Sequence, residues 1–477
     1  MSAPEAEQAR RGWLETVDVH TDARPGPDDD RYWSRKLDTA SADELAAIRT
    51  EKLRALVPYL YACVPFYRRR FDEIGLVPGD VRELSDLGAI PPVTKQDMAA
   101  DLAEHPPWGG YTAVDDAGWL DRGWQTFATS GTTGAPRLFR YTAFDRETWA
   151  WTNARAMHAM GFRRGRDSAM IAFGYGPHVW LWGVHYGLNR MGIPIVTAGG
   201  VDSMLRARFI DAYRPTILAA TPSYVLYLAD LMRENGFDPA ASSIRYLFCA
   251  GEPGFSVPAL RRRLEGAWDA QLHEFYGCTE AAPSAGGHSC AAVAADPGEV
   301  STHLLSDTHH WEVLDPETMQ PVPDGQRGIS VVTNLLSEAS PQLRFVVGDY
   351  TRLGREPCGC GRTSTRALGG FAGRADDMLN IRGVTLFPSV LDDAVRGVAA
   401  AGSEYEVVLR RRRGLDEMTL RVEALPAADA ATHGPLREAM GNAVRAAAEL
   451  RAEIEVLEHG TLPRTQLKAR RIRDLRE

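Results

Sequence analysis

Lysine is scarce in this 477-residue chain, which has four lysines among 54 basic residues. A Walker A loop requires Gly-Lys-Ser or Gly-Lys-Thr, and no lysine of the chain follows a glycine. The sequence therefore excludes a nucleotide-binding loop of the Walker type. The scarcity also draws attention to Lys468, the last lysine of the chain.

Long apolar stretches are missing as well. No uninterrupted apolar run reaches the roughly 18 residues of a membrane-spanning helix, and the first thirty residues are polar and acidic. Six cysteines in a chain of this length favour free thiols or metal ligands over a disulfide framework. A formal charge of −9 gives the protein no overall positive field that would bind the phosphate backbone of a nucleic acid. We expect a cytoplasmic protein that binds small molecules, and neither nucleic acid nor a membrane.

The pattern of apolar residues predicts an α/β protein with at least two domains. Residues 42–71 have helical spacing, with Pro58 and Pro65 as expected interruptions, and predict a helical N-terminal layer. Residues 168–248 alternate short apolar runs with segments of helical length, which indicates βαβ units around a mostly parallel sheet. After Gly373, the order helix, strand, strand, Ala-rich helix, strand predicts a small α+β domain. We place the domains at 1–373 and 374–477.

A hydroxyl- and glycine-rich turn follows a predicted strand at residues 125–128. It consists of Thr129, Ser130, Gly131, Thr132, Thr133 and Gly134. Glycines let backbone amides converge on an anion, and hydroxyl groups add donors to phosphate oxygens. Such a run alone is also typical of a flexible polar hairpin. Followed by Ala-Pro, however, it resembles the phosphate loop of the adenylate-forming enzymes.

Other segments resemble motifs of that family in the family's order. They are the adenine-side loop Ala250-Gly251-Glu252-Pro253, the motif Tyr276-Gly277-Cys278-Thr279-Glu280, the ribose-binding Asp349, and the hinge segment that contains Arg374 and Asp376. One glycine-rich loop is weak evidence, whereas several motifs in the right order are specific. The resemblance implies an ATP-dependent enzyme that activates a carboxylic acid as an acyl adenylate.

The resemblance also implies roles for these residues. The Tyr276 ring stacks on adenine, the Thr279 hydroxyl reaches the α-phosphate and the Glu280 carboxylate holds Mg²⁺. Asp349 accepts the ribose hydroxyls, and Arg374 lies near the ribose.

Asp376 is implied as the pivot of a mobile C-terminal domain. Residues 462–469 resemble the catalytic loop of that domain, in which Lys468 bridges the acid and ATP. A lysine in a basic tail is otherwise a solvated charge, but its rarity and the preceding Leu-Pro-Arg-Thr favour catalysis. Leu467 replaces a glycine common in relatives, which leaves the path of the loop open.

Within the family, the chain resembles phenylacetate-CoA ligases over about residues 32–474. The segments that carry this resemblance are 64–67, 91–97, 221–224, 382–384 and 387–389. It implies that coenzyme A accepts the acyl group. A carrier-protein thiol or an amine as acceptor, and a non-catalytic homologue, remain alternatives. A homodimer is a further expectation, because similar enzymes are often dimeric.

Cys358 and Cys360 form a C-x-C pair. Thiolates favour zinc, and a structural zinc needs four ligands. Phenylacetate-CoA ligases carry a histidine where His303 stands and a cysteine upstream, as Cys290 is here, so we predict a structural Zn²⁺ at these four residues. Plain buried thiols are the alternative; His309, His310 and Cys278 are weaker ligand candidates.

Residues 173–186 lie where the family lines the acyl site. The candidate lining residues are Phe173, Tyr175, His178, Trp182 and Cys278. Their flat aromatic surface predicts an aromatic acid, an arylacetate or a substituted benzoate, in preference to a fatty acid. His178 either meets a polar ring substituent, such as a hydroxyl or amino group, or forms part of the wall.

Overall fold

The structure is a computed structural model. It describes residues 3–21, 26–129, 137–296, 298–371, 373–374, 378–381, 384–412, 415–426, 428–448, 450–464 and 471–476. The chain divides into two compact units. The first unit comprises residues 1–167, 174–195 and 275–368, and the second unit comprises residues 168–173, 196–274 and 369–477.

Both units contain α-helices. Numbered in chain order, those of the described residues are α1 (Ala3–Val19), α2 (Arg35–Asp38), α3 (Ala42–Cys63), α4 (Pro65–Glu73), α5 (Lys95–Glu104), α6 (Asp116–Arg122), α7 (Ala143–Ala159), α8 (Val179–Met191), α9 (Ser203–Tyr213), α10 (Pro222–Glu234), α11 (Pro258–Trp268), α12 (Ala291–Ala295), α13 (Pro388–Arg396) and α14 (His433–Ala448). Within the part of the chain that the structure describes, we find no helix with the length and apolarity of a membrane span.

Both units also contain β-strands. They are β1 (Gly123–Ala128), β2 (Leu138–Thr142), β3 (Ala169–Ile171), β4 (Ile195–Thr197), β5 (Ile217–Ala220), β6 (Tyr246–Cys249), β7 (Gln271–Cys278), β8 (Ala282–His288), β9 (Ser301–Leu304), β10 (His309–Leu314), β11 (Gly328–Asn334), β12 (Phe345–Thr351), β13 (Leu353–Gly354), β14 (Arg366–Leu368), β15 (Leu379–Ile381), β16 (Val384–Leu386), β17 (Ala401–Arg412), β18 (Leu415–Ala424), β19 (Glu453–Leu457) and β20 (Ile472–Asp474).

The first unit begins with the predicted helical layer. Helix α3 starts at a capping box, in which Ser41 and Glu44 satisfy each other's backbone N–H groups. The expected interruption at Pro58 is wrong, because α3 continues through it to Cys63. A proline inside a helix costs one backbone hydrogen bond, and burial of the apolar face around it offsets that loss. Pro65, as expected, marks a boundary, since it occupies the start of α4, where no N–H is needed.

The strands of the first unit pair mainly in antiparallel fashion. Strand β1 pairs with β2. A separate three-stranded sheet consists of β10, β11 and β12, and β9 lies between β8 and β14 in another sheet. From Phe275 onward, β7 pairs with β8 in an antiparallel hairpin whose last pair is Cys278 and Ala282. The three residues Thr279, Glu280 and Ala281 therefore form the turn between these two strands.

The second unit contains the predicted βαβ region. Strands β3, β5 and β6 and the first part of β7 pair in parallel in that order, with α10 and α11 as connections. Strand β5 is buried over its whole length, as expected for a parallel strand covered on both faces. The apolar runs at 168–248 were therefore correctly predicted as strands of a parallel sheet.

The C-terminal part of the second unit is a four-stranded sheet in the order β19, β18, β17, β20. Its apolar face packs with α13 and α14 around a core that includes Val407, Leu420 and Met440. The predicted order of helices and strands is confirmed here, and the hairpin β15–β16 and the short β20 are additions. The boundary at 373/374 stays a prediction, and Asp376 lies outside the described residues.

Candidate active site

Tyr276 and Asp349 form the clearest contact among the predicted nucleotide-binding residues. Tyr276 lies near the end of β7 and Asp349 on β12, and the tyrosine hydroxyl donates a hydrogen bond to the aspartate carboxylate. Burial and the nearby Asp349 carboxylate raise the pKa of Tyr276 well above its ordinary value, so the hydroxyl stays protonated. The structure thus brings together the residues predicted for adenine and ribose.

The turn that follows β7 presents Thr279 and Glu280. Glu280 is only 6% exposed, and its carboxylate accepts a hydrogen bond of 2.8 Å from the Arg137 guanidinium. Burial strengthens this ion pair because water screens it poorly. The sequence analysis missed Arg137, although a basic residue shortly after the predicted phosphate loop 129–134 is a usable signal.

Thr129 and Arg137 face each other across the two ends of the predicted phosphate loop. The Thr129 N–H donates to the Arg137 carbonyl at 3.0 Å, and the Arg137 N–H donates to the Thr129 hydroxyl at 3.1 Å. Ser130, Gly131, Thr132, Thr133 and Gly134 lie outside the described residues, as does Lys468. The described part of the site therefore includes the base of the loop and the adjoining ion pair.

The adenine-side loop belongs to the second unit. Ala250 is buried, and Gly251 has a φ of +89°, which a side chain would disfavour. The Glu252 carboxylate accepts a 2.6 Å hydrogen bond from the Ser223 N–H and thereby caps the first turn of α10. Burial raises the pKa of Glu252. Of the remaining predictions in this unit, Pro253 is exposed, and Phe173 and Arg374 are half-buried.

Aromatic side chains cluster on α8 and on the loop before it. The Tyr175 and Trp182 rings pack nearly perpendicular with centroids 5.5 Å apart, and the Trp182 N–H donates to the Gly176 carbonyl at 3.1 Å. His178 is exposed at the start of α8, whereas the His185 ring lies 6.1 Å from Tyr175. Burial lowers the pKa of His185, which keeps it neutral near pH 7.

His185 lies in the segment 173–186 predicted for the acyl site but was not among the candidate residues, where His178 was preferred. The His185 ring also packs against Trp182 at 6.3 Å and Tyr186 at 5.4 Å. Helical spacing could have identified it, since residues 182 and 185 share a face of α8. Cys278, the other acyl-site candidate of the first unit, is half-buried on β7.

Cys290, His303, Cys358 and Cys360 converge as predicted. All four are buried, and their ligand atoms lie within 4.8 Å of one another. The Cys290 and Cys358 sulfur atoms are 3.8 Å apart, and the Cys360 sulfur is 3.5 Å from His303 Nε2. His303 Nδ1 lies 3.0 Å from the Ser364 hydroxyl, a contact that orients the ring with Nε2 toward the sulfur atoms.

These distances suit a tetrahedral zinc ion. Bonds of about 2.3 Å to sulfur and 2.0–2.1 Å to nitrogen place two sulfur ligands about 3.8 Å apart, and sulfur and nitrogen about 3.6 Å apart. A disulfide needs an S–S separation of about 2.05 Å, which the Cys290–Cys358 pair does not approach. The donor set therefore fits zinc better than it fits a disulfide.

Comparison with known proteins identifies the family to which the chain belongs. Residues 127–334 match the AMP-binding enzyme family, and residues 383–476 match the AMP-binding enzyme C-terminal domain. The phenylacetate-coenzyme A ligase of Thermus thermophilus is 33% identical over 459 residues, which cover 93% of this chain and 99% of that protein. The phenylacetate-coenzyme A ligase of Escherichia coli is 31% identical over 92% of this chain and 97% of its own length.

A solved structure is similar over nearly the whole chain. It is 2-hydroxyisobutyryl-CoA ligase in the postadenylation state in complex with 2-HIB-AMP, with a TM-score of 0.88 and 30% identity over 97% of this chain and 96% of that one. Fold and sequence together define an adenylate-forming enzyme. More specifically, the chain belongs to the phenylacetate-CoA ligase family of AMP-forming CoA ligases.

Proposed function

We propose that the protein activates an aromatic carboxylic acid with ATP and transfers the acyl group to coenzyme A. In the first step a carboxylate oxygen attacks the α-phosphorus of ATP, and the bond to pyrophosphate breaks. In the second step the thiol sulfur attacks the acyl carbon, AMP leaves, and the thiol proton passes to solvent. The observation that carries the proposal is the contact between Tyr276 and Asp349. Tyr276 is close in sequence to Thr279 and Glu280.

In this proposal residues of the first unit contact different parts of the nucleotide. Tyr276 supports the adenine, and Asp349 accepts the ribose hydroxyls. Thr279 donates to the α-phosphate, where charge develops during attack. Glu280 fits Mg²⁺, which commonly binds through one or two carboxylates and phosphate oxygens; when bound, the ion neutralises phosphate charge.

The loop 129–134 binds the phosphates, the loop 250–253 lies on the adenine side, and Arg374 lies near the ribose. Two further residues, Lys468 and Asp376, lie outside the described part of the chain. Lys468 bridges the substrate carboxylate and ATP in the first step. Rotation about Asp376 then withdraws Lys468 and opens the way for the thiol. One active site thus serves both steps.

The aromatic cluster on α8 supports an aromatic acid as substrate. Tyr175, Trp182 and His185 present flat aromatic surface, which favours an aryl ring through stacking and burial. Two of the similar proteins are ligases of phenylacetate, and the third is a ligase of 2-hydroxyisobutyrate, a small hydroxy acid. An aliphatic 2-hydroxy acid is therefore the second candidate substrate.

We also propose that Cys290, His303, Cys358 and Cys360 hold a structural Zn²⁺. The match of the two inter-ligand distances to a tetrahedron supports this, together with burial of all four residues. Zinc with four protein ligands has no open position and stabilises the fold without taking part in the reaction.

A cytoplasmic location and a homodimer stay predictions.

A pyrophosphate-exchange screen tests the proposed function. The purified protein is incubated with ATP, labelled pyrophosphate and one acid at a time: phenylacetate, hydroxy- and aminobenzoates, 2-hydroxyisobutyrate and hexanoate. Exchange with an aryl acid, followed by thioester formation with coenzyme A, is the expected result. Exchange with 2-hydroxyisobutyrate alone favours the second candidate. Product only with a carrier-protein thiol or an amine changes the acceptor, and no exchange with any acid refutes the activity.

Lys468→Ala separates the two steps. We expect adenylation to fall at least about 100-fold, since a charge contact at the reacting groups is lost, while thioester formation from a preformed acyl adenylate is largely kept. Lys36→Ala is the control, because Lys36 is exposed on α2 and lies outside the predicted motifs. Equal loss of both steps in Lys468→Ala contradicts the assigned role.

A further inference from the structure

The turn between β7 and β8 is held by side chains from elsewhere in the first unit. The Tyr141 hydroxyl donates to the Thr279 carbonyl at 2.9 Å, and the Asn334 amide donates to the Ala281 carbonyl at 2.8 Å. The Arg137 guanidinium donates to the Glu280 carboxylate. Each of the three residues of the turn therefore receives a hydrogen bond from a residue distant in sequence.

The Tyr141 side chain is shielded from water. Tyr141 is fully buried, and its ring packs against Phe127 and Trp149 with centroids 5.7 and 4.7 Å away. Burial raises the pKa of Tyr141 well above its ordinary value, so the hydroxyl remains a donor at any ordinary pH. Loss of this hydroxyl would leave the carbonyl of the half-buried Thr279 without this donor. Because the ring cannot move freely, the hydroxyl defines where the Thr279 carbonyl lies.

Asn334 is fixed in the same way at the end of β11. Its side-chain oxygen accepts hydrogen bonds from the N–H groups of Leu336 at 2.8 Å and Ser337 at 3.0 Å. With the oxygen so engaged, the amide nitrogen must face the Ala281 carbonyl. Asn334 is 4% exposed. The second anchor of the turn is thus oriented by backbone groups of its own strand end.

Tyr141 and Arg137 also connect the turn to the predicted phosphate loop. Arg137 closes that loop through its two hydrogen bonds with Thr129, and β2 begins one residue later. Arg137 directly precedes β2, and residues 139 and 141 lie at alternate positions of β2, so the extended chain directs all three to one face. The same strand therefore anchors the base of the loop and the turn that presents Thr279 and Glu280.

We infer that Tyr141 and Asn334 are positioning residues for the adenylation step. They act by fixing the backbone of the turn, so that the Thr279 hydroxyl and Glu280 carboxylate reach the nucleotide without a reorganisation cost. This inference rests on the proposed function, in which those two residues contact the α-phosphate and Mg²⁺. Catalytic geometry tolerates displacements of only about 0.5 Å, which is why one hydroxyl hydrogen bond matters here.

Tyr141→Phe tests the inference, with Tyr59→Phe as a matched control. Tyr59 is also fully buried, and its hydroxyl also donates to a backbone carbonyl, that of Glu338, at 2.7 Å. Both variants should lower the thermal midpoint by similar amounts. Only Tyr141→Phe should lower kcat for pyrophosphate exchange, by about tenfold, and raise the Mg²⁺ concentration for half-maximal rate severalfold, with the KM for the acid unchanged.

Hydrogen exchange followed by mass spectrometry provides a readout that needs no activity. In Tyr141→Phe, but not in Tyr59→Phe, amides of residues 279–281 should exchange faster than in the wild-type protein. Asn334→Asp keeps an oxygen that accepts from the Leu336 and Ser337 N–H groups but loses the N–H that donates to the Ala281 carbonyl. If Tyr141→Phe does not fold, Asn334→Asp is the second test and should also show faster exchange at residues 279–281. Kinetics and exchange equal to those of Tyr59→Phe overturn the inference. Absence of acid-dependent activity in the wild-type protein refutes the proposed function instead, while exchange at the turn still decides whether Tyr141 and Asn334 hold it.

Discussion

Lys52 shows how far a single buried charge depends on its surroundings. It is fully buried on α3, where its ammonium group donates to the Asp307 carbonyl at 2.8 Å. The Asp307 carboxylate is itself paired with Arg155 at 2.9 Å, and Arg155 is also bonded to Asp38 at 3.0 Å. Burial lowers the pKa of Lys52 to about 8. The charge of Arg155 lowers this pKa further, and the charge of Asp307 raises it.

This pKa predicts a pH dependence of stability. Between the folded pKa of about 8 and the unfolded value of about 10.4, the unfolded chain holds a proton that the folded protein has lost. The free energy of unfolding should therefore rise with pH across this window, by about 2 kcal/mol between pH 7.5 and 9.5 relative to Lys52→Met. Urea unfolding of both proteins at the two pH values measures it. A difference that is constant with pH would contradict the shift.

Helix α8 depends on glycine for its approach to α7. A Cβ atom at Gly187 would lie 2.5 Å from Met157 and 2.6 Å from Asn153, both on α7. The absence of a side chain at this position therefore lets the two helices pack closely. Since α8 also carries Trp182 and His185, the same contact places the aromatic cluster proposed for the acid.

Gly187→Ala should destabilise the protein by about 1–3 kcal/mol, because the core around α7 and α8 would be overpacked. Gly266→Ala is the matched control, since Gly266 lies inside α11 and its added Cβ meets no atom within 4 Å. That variant should be unchanged or more stable by up to about 1 kcal/mol. Denaturant unfolding measures both, and equal effects in the two variants would show that α7 does not restrict α8.

The elements differ in how well their sequences foretell them. Parallel strands such as β5 and β6 were predictable, because burial on both faces produces continuous apolar runs. The passage of α3 through Pro58 was not, because tertiary packing overrode a local rule. The hairpin β15–β16 and the strand β20 were also missed, because three-residue strands carry too little pattern to be distinguished from loops.

The proposed zinc site connects distant parts of the first unit. Cys290 precedes α12, His303 lies on β9, and Cys358 and Cys360 follow β13. Arg31, near the N-terminus, donates to the Cys360 carbonyl at 2.8 Å, which adds a fourth segment to the same region. Metal bound at this point would stabilise long-range contacts that the chain otherwise closes at an entropic cost.

Metal analysis of protein purified without chelator should give about one equivalent of zinc. Cys358→Ser should lose the metal and lower the thermal midpoint by at least about 5 °C, because buried thiolates are left without it. Cys63→Ser is the control, since Cys63 is half-buried outside the cluster. Less than half an equivalent in the unaltered protein would count against the site.

The order of short motifs was enough to assign the family and most candidate residues, because catalytic groups occur in local patterns that neighbouring residues define. Contacts such as that of Tyr141 with Thr279 join residues 138 positions apart, and no local pattern specifies them. The partners of Tyr276 and Glu280 and the place of His185 among aromatic rings became visible only in the folded chain. The physical reason is that side-chain hydrogen bonds and packing act over a few ångströms, and folding alone sets which distant residues come that close.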